Sequence, residues 1–164
     1  MSFIVVVMGV AGSGKTTIGR ELADAIRCQF LEGDTLHSPE NVEKMSRGVP
    51  LTDADRGPWL TTIHARMAEA WSRGESLVVG CSALKQSYRE ILGDGLPVTW
   101  VYLKGSPDLI GPRILNRAGH FMKANMLASQ FEALEEPAGA IVADVSEPPD
   151  VIVERILSEL RKSV

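Results

Sequence analysis

The stretch Gly9-Val-Ala-Gly-Ser-Gly14-Lys15-Thr16, set directly behind the apolar run Phe3–Met8, restricts this chain to a narrow set of folds. Its spacing is G-x-x-x-x-G-K-[ST], a loop that joins a buried strand to the start of a helix. The glycines let successive backbone N–H groups turn inward around phosphate oxygens with no Cβ in the way. Lys15 brings a compact cation to the same oxygens, and Thr16 offers a hydroxyl to Mg²⁺. The helix that follows directs its positive end at the anion. Gly9, Val10, Ala11, Gly12, Ser13, Gly14, Lys15, Thr16 and Thr17 are therefore expected to hold the β- and γ-phosphates of a nucleoside triphosphate. A dinucleotide loop of the G-x-G-x-x-G type is excluded, because Thr17 stands where its last glycine would fall.

A chain of 164 residues suits a single domain spanning 1–164. With 45% hydrophobic and 23% charged residues it has the make-up of a soluble globular protein. Its longest apolar runs are of strand length, so no membrane partner is expected. No basic segment precedes Phe3–Met8, and that run leads straight into the phosphate loop, as a structural strand does and a signal peptide does not. The net charge of −4 argues against a nucleic-acid partner, yet leaves room for a local positive pocket that takes a small anion. Cys28 and Cys81 are too few for a disulfide framework and fit a reducing, cytoplasmic setting.

Apolar runs alternate with helical patterns, the signature of βαβ units and a parallel sheet. Strands are expected at Phe3–Met8, Gln29–Leu31, Leu77–Cys81, Val98–Leu103 and Ala140–Val145. A first helix from Lys15 to Arg27 should bury Ile18, Leu22, Ala25 and Ile26. Ser38-Pro39 and Ser106-Pro107 each pair an N-cap serine with a first-turn proline, so a helix should start at each. Thr52-Asp-Ala-Asp55 is a capping signal for a long helix from Asp53 to Arg73 that stops at Gly74. A last helix should turn Ile152, Ile156, Leu157 and Leu160 inward, and Pro112 should kink the helix that Pro107 opens.

In an open parallel sheet, ligands sit beyond the carboxyl ends of the strands. After the second strand, Asp34 is placed to orient an attacking hydroxyl, to take its proton, or to hold a water of Mg²⁺. His37 close by can contact a polyol or a carboxylate. No acid ends the third strand, so the metal must lean on Thr16, phosphate oxygens, water and Asp34. Ser82 can donate to a phosphoryl group, while Lys85 and Arg89 can neutralise an anionic substrate. Cys81 reads as a small core residue. The segment 113–126 has the make-up of a lid, with Arg113 and Arg117 as transition-state cations and Gly119 as a hinge.

With these residues assembled, the chain resembles the bacterial-type gluconate kinases (gluconokinases) of the shikimate-kinase-like branch of phosphate-loop kinases. Four blocks carry the likeness: Gly33–Met45, Pro50–Leu60, Cys81–Arg89, and Gly119-His-Phe-Met-Lys123 through Ser129-Gln-Phe-Glu132. The resemblance implies an α/β phosphate-loop (P-loop) NTPase fold, with a five-stranded parallel sheet in the order 2-3-1-4-5 flanked by helices. It also implies a helical substrate-binding region around 35–75 and a mobile lid. The implied activity is phosphorylation of D-gluconate to 6-phospho-D-gluconate with ATP and Mg²⁺, by a protein that is commonly a homodimer. On that footing Asp34, His37, Ser82, His120 and Gln130 would read the substrate hydroxyls. Arg56, Lys85 or Arg89 would grip its carboxylate, Arg56 with a cationic head free to face the pocket at the start of a helix.

Two other readings remain open from sequence. One is a kinase for shikimate or another small molecule, against which the Cys81-Ser82-Ala83 stretch stands in place of a Gly-rich one. The other is a non-catalytic ATP-binding sensor, which would have no need of a hydroxyl-orienting acid.

Overall fold

The computed structural model describes residues 2–115 and 124–162. Five strands, β1 (Ile4–Met8), β2 (Gln29–Glu32), β3 (Leu77–Gly80), β4 (Val98–Lys104) and β5 (Ile141–Asp144), form one sheet in the order β2-β3-β1-β4-β5. Every pairing is parallel, with Val5 opposite Val78 on one side and Thr99 on the other. The seven helices of the described residues are α1 (Lys15–Ile26), α2 (Pro39–Ser46), α3 (Asp53–Ser72), α4 (Gln86–Leu92), α5 (Pro107–Leu115), α6 (Ala124–Ala133) and α7 (Pro149–Lys162). None of them is long and apolar enough to cross a membrane.

The central strand explains the layering. All five residues of β1 are 0% exposed, and alternate side chains enter opposite cores. Val5 and Val7 pack with Val78, Val101, Ile18 and Leu22 of α1, and Ile152 and Ile156 of α7. Ile4, Val6 and Met8 pack with Val79 and with Trp59, Leu60, Ile63 and Met67 of α3. Each such fully buried aliphatic contributes about 1.5–3 kcal/mol. A strand without a polar face must be covered on both sides, and β1 is, by α1 and α7 on one face and α3 on the other.

The expected helix starts are present. Ser38 Oγ accepts the Asn41 N–H at 3.2 Å ahead of α2. Thr52 and Asp55 form a reciprocal capping box at α3, with Asp55 N–H on Thr52 Oγ1 at 3.1 Å and Thr52 N–H on the Asp55 carboxylate at 2.9 Å. At the far end of α3, Gly74 takes a left-handed φ of +69° while Glu75 N–H bonds back to Ala70 O at 2.9 Å.

Some local expectations are corrected. In α1 the buried residues are Ile18, Gly19, Leu22 and Ala23, and Ala25 is exposed. At about 100° per residue, Ala25 falls on the margin of the stripe those residues define. Helix α1 closes on Arg27 in a left-handed conformation (φ +58°). Pro112 does lie inside the helix that Pro107 opens, as Pro58 lies inside α3. In α7, Ile152, Ile156 and Leu160 are buried as expected, with Leu157 half-buried.

Candidate active site

A cleft of about 380 Å³ opens beyond the carboxyl ends of the strands, with Gly12–Thr17 as its middle wall. Strand order turns back at β1, so the loop after β1 lies between the ends of β3 and β2 on one side and of β4 and β5 on the other. Gly12 and Gly14 take φ of +77° and +101°, conformations that cost little only without a Cβ. Lys15 Nζ donates to Gly9 O at 3.0 Å and Val10 O at 2.9 Å, which holds the ammonium arched over the loop. Ser13 is 2% exposed, and its Oγ has no hydrogen-bond partner among the described residues. A buried hydroxyl left unpaired costs about 1–3 kcal/mol, and an anion in the cradle would relieve that cost. The loop therefore fits a polyphosphate.

Thr16 Oγ1 donates to the carboxylate of Glu32, which ends β2 and lines the cleft. A hydroxyl and a carboxylate side by side are the oxygen donors a hard divalent cation takes. Among the described residues no group of three or more His, Cys, Asp or Glu side chains could hold a metal by itself, so Thr16 and Glu32 would share the ion with phosphate oxygens and water. Glu32 was not singled out from sequence. The third strand ends in Gly80-Cys81 without an acid, but Glu32 pairs with Gly80 across the sheet and so supplies one at the same level.

Beyond the phosphate loop on the β2–β3 side stands a wall of mixed character. Asp34 lies on a single 3-10 turn, Gly33–Leu36, and lines the cleft. Gly33 makes that turn possible, since a Cβ there would come within 2.5 Å of Gly80 O. Trp59 Nε1 donates to Gly33 O at 2.8 Å, and the His37 ring stacks on Trp59 at 4.0 Å with 17° between planes. Burial pushes the His37 pKa down, Asp34 opposes that shift and Arg56 reinforces it. Met45, Leu51, Ser82 and Arg56 complete this end. Arg56 does not have the free head expected of it: Nη1 donates to Leu51 O at 2.6 Å and to Tyr88 Oη at 3.1 Å. Tyr88 Oη in turn donates to Asp53 at 2.6 Å. Two hydrogen bonds thus pre-set the guanidinium while it still faces the cleft.

Of the remaining expected ligands, Lys85 and Arg89 fall elsewhere. Lys85 does not line this cleft but a neighbouring groove, with Asp53 3.4 Å from its ammonium. Arg89 does not face a substrate as expected, because it is 5% exposed and donates to Ala83 O (2.7 Å), Leu84 O (3.1 Å), Glu135 O (2.8 Å) and Gln86 Oε1 (3.2 Å). It clamps the loop in which Ala83 adopts φ +45°, a strained conformation for a residue with a Cβ. Gln130 lines the cleft, with its Oε1 accepting the phosphate-loop Ala11 N–H at 2.7 Å. Cys81 is fully buried, and burial pushes its thiol pKa up to about 12, so it packs and does not react.

The opposite end of the cleft is formed by Arg113, Val145, Glu147, Pro149 and Ile152. Arg113 donates to Val145 O at 3.0 Å, which ties it to the β5 end, at the other edge of the sheet from Asp34's strand. Arg113 therefore lines the same cleft as Lys15 and Thr16, from the β5 side. Of these residues Arg113 alone was singled out from sequence; Val145, Glu147, Pro149 and Ile152 carried no local signal. Arg117, Gly119, His120 and Met122 lie outside the described residues.

Comparison with known proteins accords with this geometry. Residues 4–137 match the AAA domain family. The chain is 47% identical over 156 residues to a gluconokinase of Gluconobacter oxydans, an alignment that covers 93% of this chain and 88% of that one. The chain belongs to the gluconokinase family. A crystal structure of a gluconokinase from Sinorhizobium meliloti superposes with a TM-score of 0.88 at 45% identity, covering 98% of this chain and 92% of the other. That of a sugar kinase from a Janibacter species reaches 0.92 at 45% identity, with 98% and 95% covered. Within this gluconokinase-family fold the sequence blocks share out the walls. Residues 33–45 bring Asp34, His37 and Met45, and residues 50–60 bring Leu51, Arg56 and Trp59. Ser82 and Gln130 come from the other two blocks.

Proposed function

We propose that this protein transfers the γ-phosphoryl group of ATP to the 6-hydroxyl of D-gluconate, with ATP across the cleft and the sugar acid at the Asp34–Arg56 end. The observation that carries this is the union of a phosphate cradle with a wall holding a carboxylate, an imidazole, a guanidinium and a hydroxyl on a tryptophan floor, in a chain of the gluconokinase family. A linear sugar acid needs that set: hydroxyls to be hydrogen-bonded, a carboxylate to be gripped, and C–H faces to be packed.

Asp34 orients the attacking hydroxyl and accepts its proton as the bond to phosphorus forms. Arg56, held by Leu51 O and Tyr88, meets the carboxylate at the far end of the substrate. Lys15 moves from the loop carbonyls onto the phosphate oxygens. Mg²⁺, held by Thr16 with Glu32, would neutralise charge on the phosphates. Catalysis of this kind is mainly positioning and electrostatics. A cytoplasmic setting is supported by free thiols at both Cys28 and Cys81, and a homodimer by the family resemblance alone.

The test is a panel of acceptors offered with ATP and Mg²⁺, with ADP release coupled to a reporter. Gluconate should be phosphorylated, and shikimate and nucleosides left untouched. Turnover of shikimate in preference to gluconate would overturn the proposal, and ATP binding without transfer to any acceptor would make the chain a sensor.

A further inference from the structure

Three polar side chains are almost completely buried among the described residues: Ser13, Asn41 and Arg89. Ser13 belongs to the phosphate cradle and Arg89 clamps backbone carbonyls. Asn41, 5% exposed on α2, serves neither purpose. Its Nδ2 donates to Asp55 O at 2.9 Å and lies 3.3 Å from His37 Nδ1.

The chemistry of that contact decides the state of the histidine. Asp55 O is a carbonyl and can only accept, so the atom facing it must be the amide nitrogen and not the amide oxygen. An NH₂ group has hydrogens to donate and no lone pair to offer, so His37 Nδ1 must be the acceptor. In a neutral imidazole a bare Nδ1 puts the proton on Nε2. Burial favours the neutral ring further, and the stack on Trp59 fixes its plane.

We propose that Asn41 is a positioning residue that fixes His37 as the Nε2–H tautomer, so that the acceptor wall presents one neutral hydrogen-bond donor to an oxygen of the sugar acid. Asp34 is acceptor-only and Arg56 is a charged donor, and a substrate hydroxyl needs both an acceptor for its proton and a donor for its lone pairs. Neutral His37 supplies the second without adding charge beside Arg56. The identity of that oxygen rests on the gluconate reading; the tautomer does not.

The experiment is ¹⁵N NMR of the histidine rings in the labelled, full-length wild-type protein at pH 7.5. His64 supplies an internal contrast, because its Nδ1 faces Leu92 O at 2.8 Å and must carry the proton. His37→Gln identifies the His37 signals. A bare Nδ1 and protonated Nε2 at His37, the reverse of His64, are the expected result. A protonated Nδ1, or a doubly protonated ring, would overturn the assignment with no variant needed.

Kinetics then test the role. Asn41→Asp places an acceptor against Nδ1 and draws the proton there, which should raise the gluconate KM roughly tenfold, the effect of one neutral hydrogen bond. The ATP KM should stay within about twofold. An unchanged gluconate KM, or equal rises in both constants, would sink the positioning role. Failure of the wild type to phosphorylate gluconate would instead sink the functional proposal, while the nitrogen pattern would still decide the tautomer.

Discussion

Thr16 of the phosphate loop donates its hydroxyl to Glu32, sixteen residues later at the end of an edge strand. The pair sets a hydroxyl and a carboxylate side by side at the phosphate loop, the two oxygen donors proposed above for Mg²⁺. Replacing Glu32 with Gln keeps the volume and removes the charge. The Mg²⁺ concentration giving half-maximal rate should rise by about tenfold, with kcat reduced at subsaturating metal. A metal titration identical to wild type would show that Glu32 has no part in holding the ion.

Asp34 stands on its 3-10 turn at the acceptor end of the cleft. Asp34→Asn should lower kcat by about 10²–10⁴ while ATP affinity is retained, because the amide can still pack but cannot accept the proton. Equilibrium binding of an ATP analogue beside steady-state rates separates the two effects. Normal turnover would remove Asp34 from the mechanism.

Arg56 and Tyr88 form a graded pair. Arg56→Ala should raise the gluconate KM by about 10²-fold and leave that for ATP almost unchanged, since a charge-assisted contact to a carboxylate is lost. Tyr88→Phe removes only the hydroxyl that steadies Nη1, so its effect should be in the same direction and several-fold smaller. Equal effects of Arg56→Ala on both substrates would place the guanidinium elsewhere.

Asp55 links the cap of α3 to acid stability. Hydrogen bonds from the Thr52 backbone and Lys44 bring its pKa from 3.8 down to about 2. A folded-state pKa below the unfolded one adds stability above pH 4, and that stability disappears as pH falls from 4 towards 2. In urea titrations Asp55→Asn should unfold earlier than wild type at pH 6, and the gap should narrow across that acidic window. A gap independent of pH would show that the carboxylate's charge is not what matters.

Arg89→Met should destabilise the fold by about 3 kcal/mol or more, because it leaves the carbonyls of Ala83, Leu84 and Glu135 without their donor. Thermal unfolding should show the loss even in the presence of ATP. A variant with wild-type stability and a raised gluconate KM would return Arg89 to the substrate site.

What could be read from sequence was local. The phosphate loop, the serine cap of α2 and the capping box of α3 depend on residues within one turn of each other, where backbone sterics and short hydrogen bonds act alone. The doubly buried character of β1 was equally legible, because five successive apolar residues admit no solvent face. The strand order came from the likeness of four blocks, not from periodicity. Other relationships belong to tertiary structure. Glu32 reaches Thr16 only because the β2–β3 register brings it level with Gly80, and Arg113 reaches Val145 only because β5 pairs with β4. Arg89 reads as a substrate-binding cation until the chain after α6 folds across it. Asn41, on the first turn of α2, is only four residues from His37, yet its burial and its bond to Asp55 depend on where α3 packs. Neighbouring residues determine φ and ψ, whereas contacts between distant ones are decided by how the two cores close around the sheet.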